Sequence, residues 1–290
     1  MAFFAALLTA LFGLIPGLAG AYLPAGPGGA GEVVIPLAHR GGGAGSPLPR
    51  IYGPSDASRP LVVIDPGHGG RDPGATSTHD GRPEKHVTLA LAKSVRDALV
   101  ASGRVRVALT REDDAYLVLR DRYEIARRMK ADLFISVHAD AAPNNNTARG
   151  ATIYTLSEVA SDREAALLAA QENKSDLIGG ALAAEDAGVN RILIDLAQRE
   201  SMNVSADFAQ LLRRAASDYF AFQPNYHRFA SLIVLKAPDV PSILFESGYL
   251  TNAEDSAYIQ SEEGRTRIAA GLRRAIETHF ARRIVRTAGR

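Results

Sequence analysis

Residues 61–70 read LVVIDPGHGG, a short apolar run that leads into a glycine-rich turn carrying His68. A second apolar run, LFISVHAD, leads in the same manner to His138, and a third, SILFESG, leads to Glu246. Apolar runs of this length are typical of buried strands in parallel sheets. Ligands of such sheets bind at the carboxyl ends of the strands. We therefore expect His68, His138 and Glu246 to converge at one edge of a sheet.

Strand-like and helix-like segments alternate over the whole stretch that follows residue 59. Strands are expected at 61–65, 105–109, 133–137, 150–156, 231–235 and 242–246, and helices at 84–100, 119–129 and 262–282. This alternation favours an α/β fold, a single domain with a largely parallel twisted sheet flanked by helices. We place the catalytic domain at residues 59–284.

One long region, residues 157–230, interrupts the alternation because no strand pattern is evident in it. Residues 161–171 are alanine-rich, and residues 190–220 have helical propensity with apolar anchors at helical spacing. A connection of this length inside a compact domain is often functional. We predict a helical regulatory insertion, and the alternative is a helical hairpin that only covers the sheet.

The first residues of the chain have the pattern of an export signal. Residues 3–21 are apolar throughout, and Ala19, Gly20 and Ala21 fit a small-residue cleavage site, although no Lys or Arg precedes the run. We expect a secretory signal at 1–21, or an anchor if it is retained, and no other membrane association. Residues 22–58 are rich in Gly and Pro and are predicted to form a linker.

Composition narrows the classes of function. The 290 residues contain 33 Lys and Arg against 32 Asp and Glu, which gives a net charge of +1. Such a balance argues against a nucleic-acid binder, which usually has a basic stripe. The chain contains no cysteine, so any zinc site must use nitrogen and oxygen ligands.

Two histidines and a carboxylate are the ligands from which a catalytic zinc site is built, with one position left open. Glu84 stands at the start of a predicted helix, after Pro83. It either interacts with the helix dipole or completes a ligand set with His68 and His138. The spacing alone leaves both interpretations open.

Two further carboxylates have candidate roles around that site. Glu246 is the other acid at a strand end, and it fits the general base that takes a proton from the attacking water and gives it to the leaving amine. Asp65 directly precedes the glycine-rich turn. It is predicted to accept a hydrogen bond from the second ring nitrogen of His68, or else to cap the turn.

Four motifs stand in order along residues 61–280. They are VIDPGHGG with DPGA in residues 63–75, Glu84, SVHAD in residues 136–140, and Glu246. Together they resemble the zinc-dependent N-acetylmuramoyl-L-alanine amidases of the type 3 amidase family.

The resemblance implies a cofactor, a substrate and a role for each matched residue. His68, Glu84 and His138 would be ligands of Zn²⁺, and Glu246 would be the catalytic acid and base. The substrate would be peptidoglycan, cleaved at the amide between N-acetylmuramic acid and the L-alanine of the stem peptide.

Residues 172–179, ENKSDLIG, and residues 235–242, LKAPDVPS, resemble segments of the cell-division amidases of Gram-negative bacteria. That resemblance implies a periplasmic enzyme that separates daughter cells. It also implies autoinhibition, in which a helix of the insertion lies across the site and Glu172 occupies the open zinc position. A LytM-domain activator protein would relieve it. Some relatives carry an N-terminal targeting domain, for which the stretch before Leu61 is expected to be too short.

Other classes of function use the same residues. A zinc metallopeptidase or a deacetylase would act on another cell-wall amide with the same metal chemistry. A cell-wall binding module with a decayed site would need none of the four residues, all of which are present. A structural zinc is disfavoured because such sites typically have four protein ligands rich in cysteine.

Overall fold

The computed structural model describes residues 48–142, 145, 147–178 and 191–288. The predicted signal at 1–21 and most of the predicted linker at 22–58 lie outside the described residues. Within the described part of the chain, no helix has the length and apolar character needed to cross a membrane.

A six-stranded sheet forms the centre of the domain. Its strands are β1 (Leu61–Pro66), β2 (Arg106–Leu109), β3 (Leu133–Asp140), β4 (Ala151–Leu156), β5 (Phe222–Ala230) and β6 (Ser242–Tyr249). Their order across the sheet is β2-β1-β3-β6-β4-β5. Every neighbouring pair is parallel except β4 with β6, which is antiparallel. The predicted α/β fold with a largely parallel sheet is confirmed.

Helices cover both faces of this sheet. They are α1 (Glu84–Ser102), α2 (Leu119–Arg128), α3 (Arg163–Glu172), α4 (Ser175–Ile178), α5 (Arg191–Ala216), α6 (Ala253–Gln260) and α7 (Glu262–Ala288). Alternate residues of a strand point to opposite faces, so Val62 and Ile64 pack with α1, α5 and α7, whereas Val63 packs with α2 and α3. Two apolar clusters result, one on each side of the sheet.

Helix α1 brings Glu84 to the carboxyl edge of the sheet. Its apolar residues recur at helical spacing and are buried, namely Val87, Leu91, Val95 and Leu99. The helix ends at Gly103, whose φ of 64° is the left-handed conformation that glycine adopts at helix ends. Packing of this face on the sheet fixes where the first turn of α1, and with it Glu84, lies.

The prediction for residues 157–235 was wrong in one element. The expected strand at 231–235 is instead a 3₁₀ turn at Ile233–Leu235, and the strand is β5, which lies inside the region expected to be a helical insertion. Among the strands that the structure describes, β5 is an edge strand that pairs with β4 alone, and most of its residues are half-buried or exposed. Its sequence, FQPNYHRFA, therefore lacks the apolar run that identifies a buried strand.

The end of the predicted linker contacts the domain. Tyr52 pairs with Val107 of β2 through two backbone hydrogen bonds of 2.7 and 2.9 Å. Its hydroxyl donates to Glu112 at 2.6 Å, and the guanidinium of Arg96 lies 4.9 Å from its ring. The chain is thus anchored beside the sheet before residue 59.

A buried ion pair holds the chain where it leaves β1. Arg122 of α2 is 1% exposed and donates to Asp65 at 3.0 Å and to the carbonyl oxygens of Pro66 at 2.9 Å and His68 at 2.8 Å. Removing one partner of a buried pair leaves the other charge uncompensated, which costs more than the pair contributes. Arg122 thus fixes the turn that carries His68.

We expect Arg122→Met to lower the free energy of unfolding by about 3–5 kcal/mol, because Asp65 would remain buried and charged. The same substitution at Arg128, which is exposed on the same helix, should cost less than about 1 kcal/mol. Urea denaturation followed by circular dichroism measures both. Equal midpoints for the two variants would contradict this role of Arg122.

Candidate metal centre

The three strand ends that carry polar residues meet at the carboxyl edge of the sheet. His138 on β3 and Glu246 on β6 are register partners across that strand pair. His68 follows β1, on the other side of β3, and its ring centroid lies 4.8 Å from that of His138. All three side chains are buried. The convergence expected from the three apolar runs is therefore present.

Glu84 lies between the two imidazoles. Its Oε2 is 3.0 Å from His68 Nε2, and its Oε1 is 3.1 Å from His138 Nδ1. Each oxygen also accepts a backbone N–H, from Ala75 at 2.8 Å and from Ala139 at 2.9 Å. The carboxylate is thus held in one orientation, with one oxygen directed at each histidine.

Glu172, the last residue of α3, reaches the same point from the insertion. Its Oε2 is 3.5 Å from His68 Nε2 and 3.2 Å from His138 Nδ1. Among the described residues, the ligand atoms of His68, His138 and Glu172 lie within 4.8 Å of one another, close enough to share one metal ion. The structure therefore brings together every residue predicted for the centre except Asp65.

Asp72, not Asp65, is the carboxylate that contacts His68. His68 Nδ1 lies 2.9 Å from Asp72 Oδ2. Asp65 instead accepts hydrogen bonds from Thr110, Ser136 and Arg122, so its oxygens are occupied within the sheet and by α2.

A reversal of the chain explains why Asp72 was missed. The backbones of Gly69 and Asp72 pair with each other, at 3.0 and 3.1 Å, so the glycine turn folds Asp72 back onto His68. Gly69 and Gly70, which follow His68, indicate in the sequence that the chain turns here. The direction in which the chain turns depends on tertiary contacts, so the sequence does not show that Asp72 returns to His68.

Close backbone approach is a second feature of the site. A Cβ at Gly67 would lie 2.4 Å from the ring of His138, and a Cβ at Gly74 would lie 2.6 Å from Glu84 Oε2. His68 itself has a φ of 60°, a left-handed conformation that costs a non-glycine residue about 1–2 kcal/mol. Such strain clusters at functional sites, and here it aims the imidazole at the centre.

Burial of several carboxylates at one point shifts their proton affinities. Burial raises the pKa of Glu246 well above its ordinary value, and the charges of Asp140 and Glu84 raise it further. Burial likewise raises the pKa of Glu172, and it raises the pKa of Asp140 to about 7. Burial lowers the pKa of His68, but Glu84 and Glu172 outweigh it and raise that pKa well above the usual range. The site therefore favours a positive charge at its centre.

Two buried polar atoms are consistent with a cation at this position. Among the residues that the structure describes, Glu246 Oε2 has no hydrogen-bond partner, and His68 Nε2 is 3.0 Å from Glu84 Oε2 but lacks hydrogen-bond alignment with it. Two imidazoles and a carboxylate are the donor set of catalytic zinc sites. The residues of this site therefore fit a zinc ion.

Known proteins match this fold and these motifs. The family model described as N-acetylmuramoyl-L-alanine amidase matches residues 62–278. The amidase AmiA of Salmonella typhimurium is 36% identical over 225 residues, which cover 77% of this chain and 77% of that protein. The amidase AmiC of Escherichia coli O6:H1 is 33% identical over 231 residues, which cover 79% of this chain and 55% of that protein.

Solved structures of amidases have a similar fold. The amidase AmiC2 of Nostoc punctiforme is 27% identical, with a TM-score of 0.55 over 77% of this chain and 97% of that one. The catalytic domain of the amidase CwlV from Bacillus (Paenibacillus) polymyxa var. colistinus is 24% identical, with a TM-score of 0.57 over 77% and 98%, which supports the fold alone. The chain therefore belongs to the N-acetylmuramoyl-L-alanine amidase family, and it is a hydrolase that cleaves an amide of peptidoglycan.

Proposed function

We propose that this chain is an exported, zinc-dependent N-acetylmuramoyl-L-alanine amidase whose basal activity is restrained by Glu172. The observation that carries the proposal is the contact of Glu84 and Glu172 with both His68 and His138 in one buried site. The apolar run and small-residue cleavage site at 1–21 support export.

In this proposal His68, Glu84 and His138 hold the zinc ion. When bound, the ion supplies Lewis acidity, which polarises the substrate carbonyl and activates water at neutral pH. Glu84 contributes a charge already fixed by two backbone N–H groups. Family membership and the fit of the donor set support zinc over a cation that prefers oxygen ligands alone.

Glu246 moves the proton. Its carboxylate takes a proton from the water that attacks the lactyl carbonyl of N-acetylmuramic acid, and it delivers that proton to the amine of L-alanine as the C–N bond breaks. Burial and the neighbouring charges raise the pKa of Glu246, which makes its carboxylate a stronger proton acceptor than an ordinary glutamate.

Glu172 blocks the same centre. A carboxylate 3.2–3.5 Å from the two imidazoles occupies the place where the substrate carbonyl must approach. The resemblance of residues 172–179 to the cell-division amidases supports the same role. Hydrolysis then requires α3 to move away from the site.

We place the enzyme in the periplasm, where it separates daughter cells, and we propose a LytM-domain protein as its activator. Leu177 and Ile178 on α4, shortly after Glu172 in the sequence, are 74% and 50% exposed and form an apolar surface that a protein partner can cover. An activator that moves the segment from 99% closed to 99% open must bind the open state about 10⁴-fold more tightly.

Zinc removal tests the cofactor. Protein treated with a chelator should lose dye release from labelled peptidoglycan, and one equivalent of zinc should restore it. His68→Ala should abolish zinc binding, whereas His86→Ala, at an exposed position of α1, should retain one zinc per chain by atomic emission. Full activity in protein shown to be free of metal would refute the zinc mechanism.

Glu246→Gln tests the acid and base role. The substitution preserves size but removes the proton acceptor, so the hydrolysis rate should fall about 10²–10⁴-fold while zinc content stays at one per chain. Glu254→Gln, at an exposed position of α6, serves as the control. Mass spectrometry of the soluble products should identify free stem peptides. A Glu246→Gln enzyme as active as Glu254→Gln would disprove the assignment.

Glu172→Ala tests autoinhibition. Removing a charged group from the closed site should raise basal dye release at least about tenfold, since contacts of charged groups are worth about 1.5–3 kcal/mol. Gln171→Ala, at the exposed neighbouring position, should leave the rate unchanged. If the two variants behave alike, the insertion is a cover or a docking surface and not a plug.

A further inference from the structure

One carboxylate oxygen joins the centre to the segment that carries Glu172. Asp72 Oδ2 lies 2.9 Å from His68 Nδ1 and accepts a hydrogen bond of 2.5 Å from the hydroxyl of Ser175. Asp72 and Ser175 are both buried, at 2% and 4% exposure. They are 103 residues apart in the sequence, and Ser175 follows Glu172 by three residues, across the turn between α3 and α4.

We propose that Asp72 is a positioning residue with two simultaneous tasks: it orients His68 toward the metal, and it holds the Glu172 segment closed through Ser175. The inference rests on the proposed zinc site and on the proposed plug, and it adds the residue that couples them.

The first task follows from the two nitrogens of the imidazole. A carboxylate accepts and does not donate, so Nδ1 of His68 carries a hydrogen. With a metal ion bound in place of the second hydrogen, Nε2 is the nitrogen that presents its lone pair. Nε2 is the atom that faces Glu84 and Glu172, at 3.0 and 3.5 Å. Asp72 thus selects the ring form that a metal ligand requires.

Asp72 is itself fixed in place. Its backbone pairs with Gly69 in both directions, at 3.0 and 3.1 Å, and its Oδ1 accepts the N–H of Gly74 at 3.1 Å. The carboxylate therefore cannot turn away from His68 without breaking the loop, which is the condition for a group that orients a metal ligand.

The second task follows from the place of Ser175. The joint between α3 and α4 is tied to the domain by the hydroxyl of Tyr116, which donates to the Ser175 carbonyl at 2.9 Å. The N–H of Leu119 also donates to Asp176 at 2.8 Å. The hydrogen bond from Ser175 to Asp72 is the one among these contacts whose acceptor also contacts a residue of the metal centre, His68. In this proposal the hydrogen bond breaks when Glu172 withdraws, and Asp72 Oδ2 then contacts His68 alone.

Asp114, which follows β2 and contacts the same glycine turn, provides a comparison for a purely structural role of Asp72. Asp114 accepts the N–H of Gly70 at 2.8 Å and the ammonium of Lys85 at 2.7 Å, so it also braces the glycine turn. None of its hydrogen bonds in the described structure goes to His68. Loss of Asp114 therefore reports what bracing alone contributes.

The test compares Asp72→Ala, Asp72→Asn and Ser175→Ala with two controls, Asp114→Asn and Lys174→Ala, in the full chain. Lys174 is exposed and adjacent to Ser175. Zinc affinity is measured by competition with a chromophoric chelator. Opening of residues 163–178 is measured in the zinc-loaded protein by hydrogen exchange and mass spectrometry.

We expect Asp72→Ala to weaken zinc binding about 10–100-fold and to speed exchange in residues 163–178 about tenfold. Ser175→Ala should produce only the second effect, with zinc affinity unchanged. Both controls should match the wild type. Asp72→Asn keeps the size of the side chain, and its zinc affinity tests the orienting task if Asp72→Ala does not fold.

Unchanged zinc affinity in the Asp72 variants, beside a wild type that binds zinc, would overturn the orienting task alone. Unchanged exchange in Ser175→Ala would overturn the holding task. A wild type that binds no zinc would overturn the proposed function and this inference with it, so the two failures are distinguishable.

Discussion

The carboxylates of Glu84, Glu172, Glu246 and Asp140 are gathered around two imidazoles at one edge of the sheet, and their mutual repulsion must be balanced. Burial makes each of these charges costly, and the raised pKa values of Glu246, Glu172 and Asp140 reflect that cost. A positive charge between the imidazoles relieves this cost, and a divalent cation would supply it. The elements around the centre hold these carboxylates and imidazoles in position despite the repulsion.

Two arginines beneath the centre provide much of that hold. Arg122 and Arg111 both donate to the Pro66 carbonyl, Arg122 reaches the carbonyl of His68, and Arg111 reaches that of Gly67 at 2.7 Å. Burial lowers the pKa of Arg111 to about 10, so the group stays charged at neutral pH. The left-handed backbone of His68 is thereby fixed by cations that contact main-chain oxygens and leave the carboxylates of the centre free.

The sequence alone predicted the site residues that lie at the ends of buried strands. It did not predict the features whose position is set by tertiary contacts. His68, His138 and Glu246 converge because apolar runs identify buried parallel strands, whose ends must meet. Strand β5 was missed because an edge strand needs no apolar run. The partner of His68 was placed at Asp65 because the reversal that brings Asp72 back is set by packing. Glu172 was reached only through a family resemblance, since no local pattern relates α3 to a histidine a hundred residues earlier.

The strength of the closed state follows from the same few contacts. Hydrogen bonds to charged groups contribute about 1.5–3 kcal/mol and neutral ones about 0.5–1.5. The three ties of Ser175 and Asp176 to Asp72, Tyr116 and Leu119 therefore contribute roughly 3.5–7.5 kcal/mol to the closed state. Reversing a 99:1 equilibrium takes about 5.5 kcal/mol of differential binding. In the proposed mechanism these ties are strong enough to keep the Glu172 segment closed in isolation, yet within the range that a protein interface covering Leu177 and Ile178 can overcome. Helix α3 also packs on the sheet through Ala165, Leu168 and Ala169, so in the proposed mechanism the activator must offset this apolar packing as well as the polar ties, while the sheet, the arginines and the proposed metal ligands stay in place.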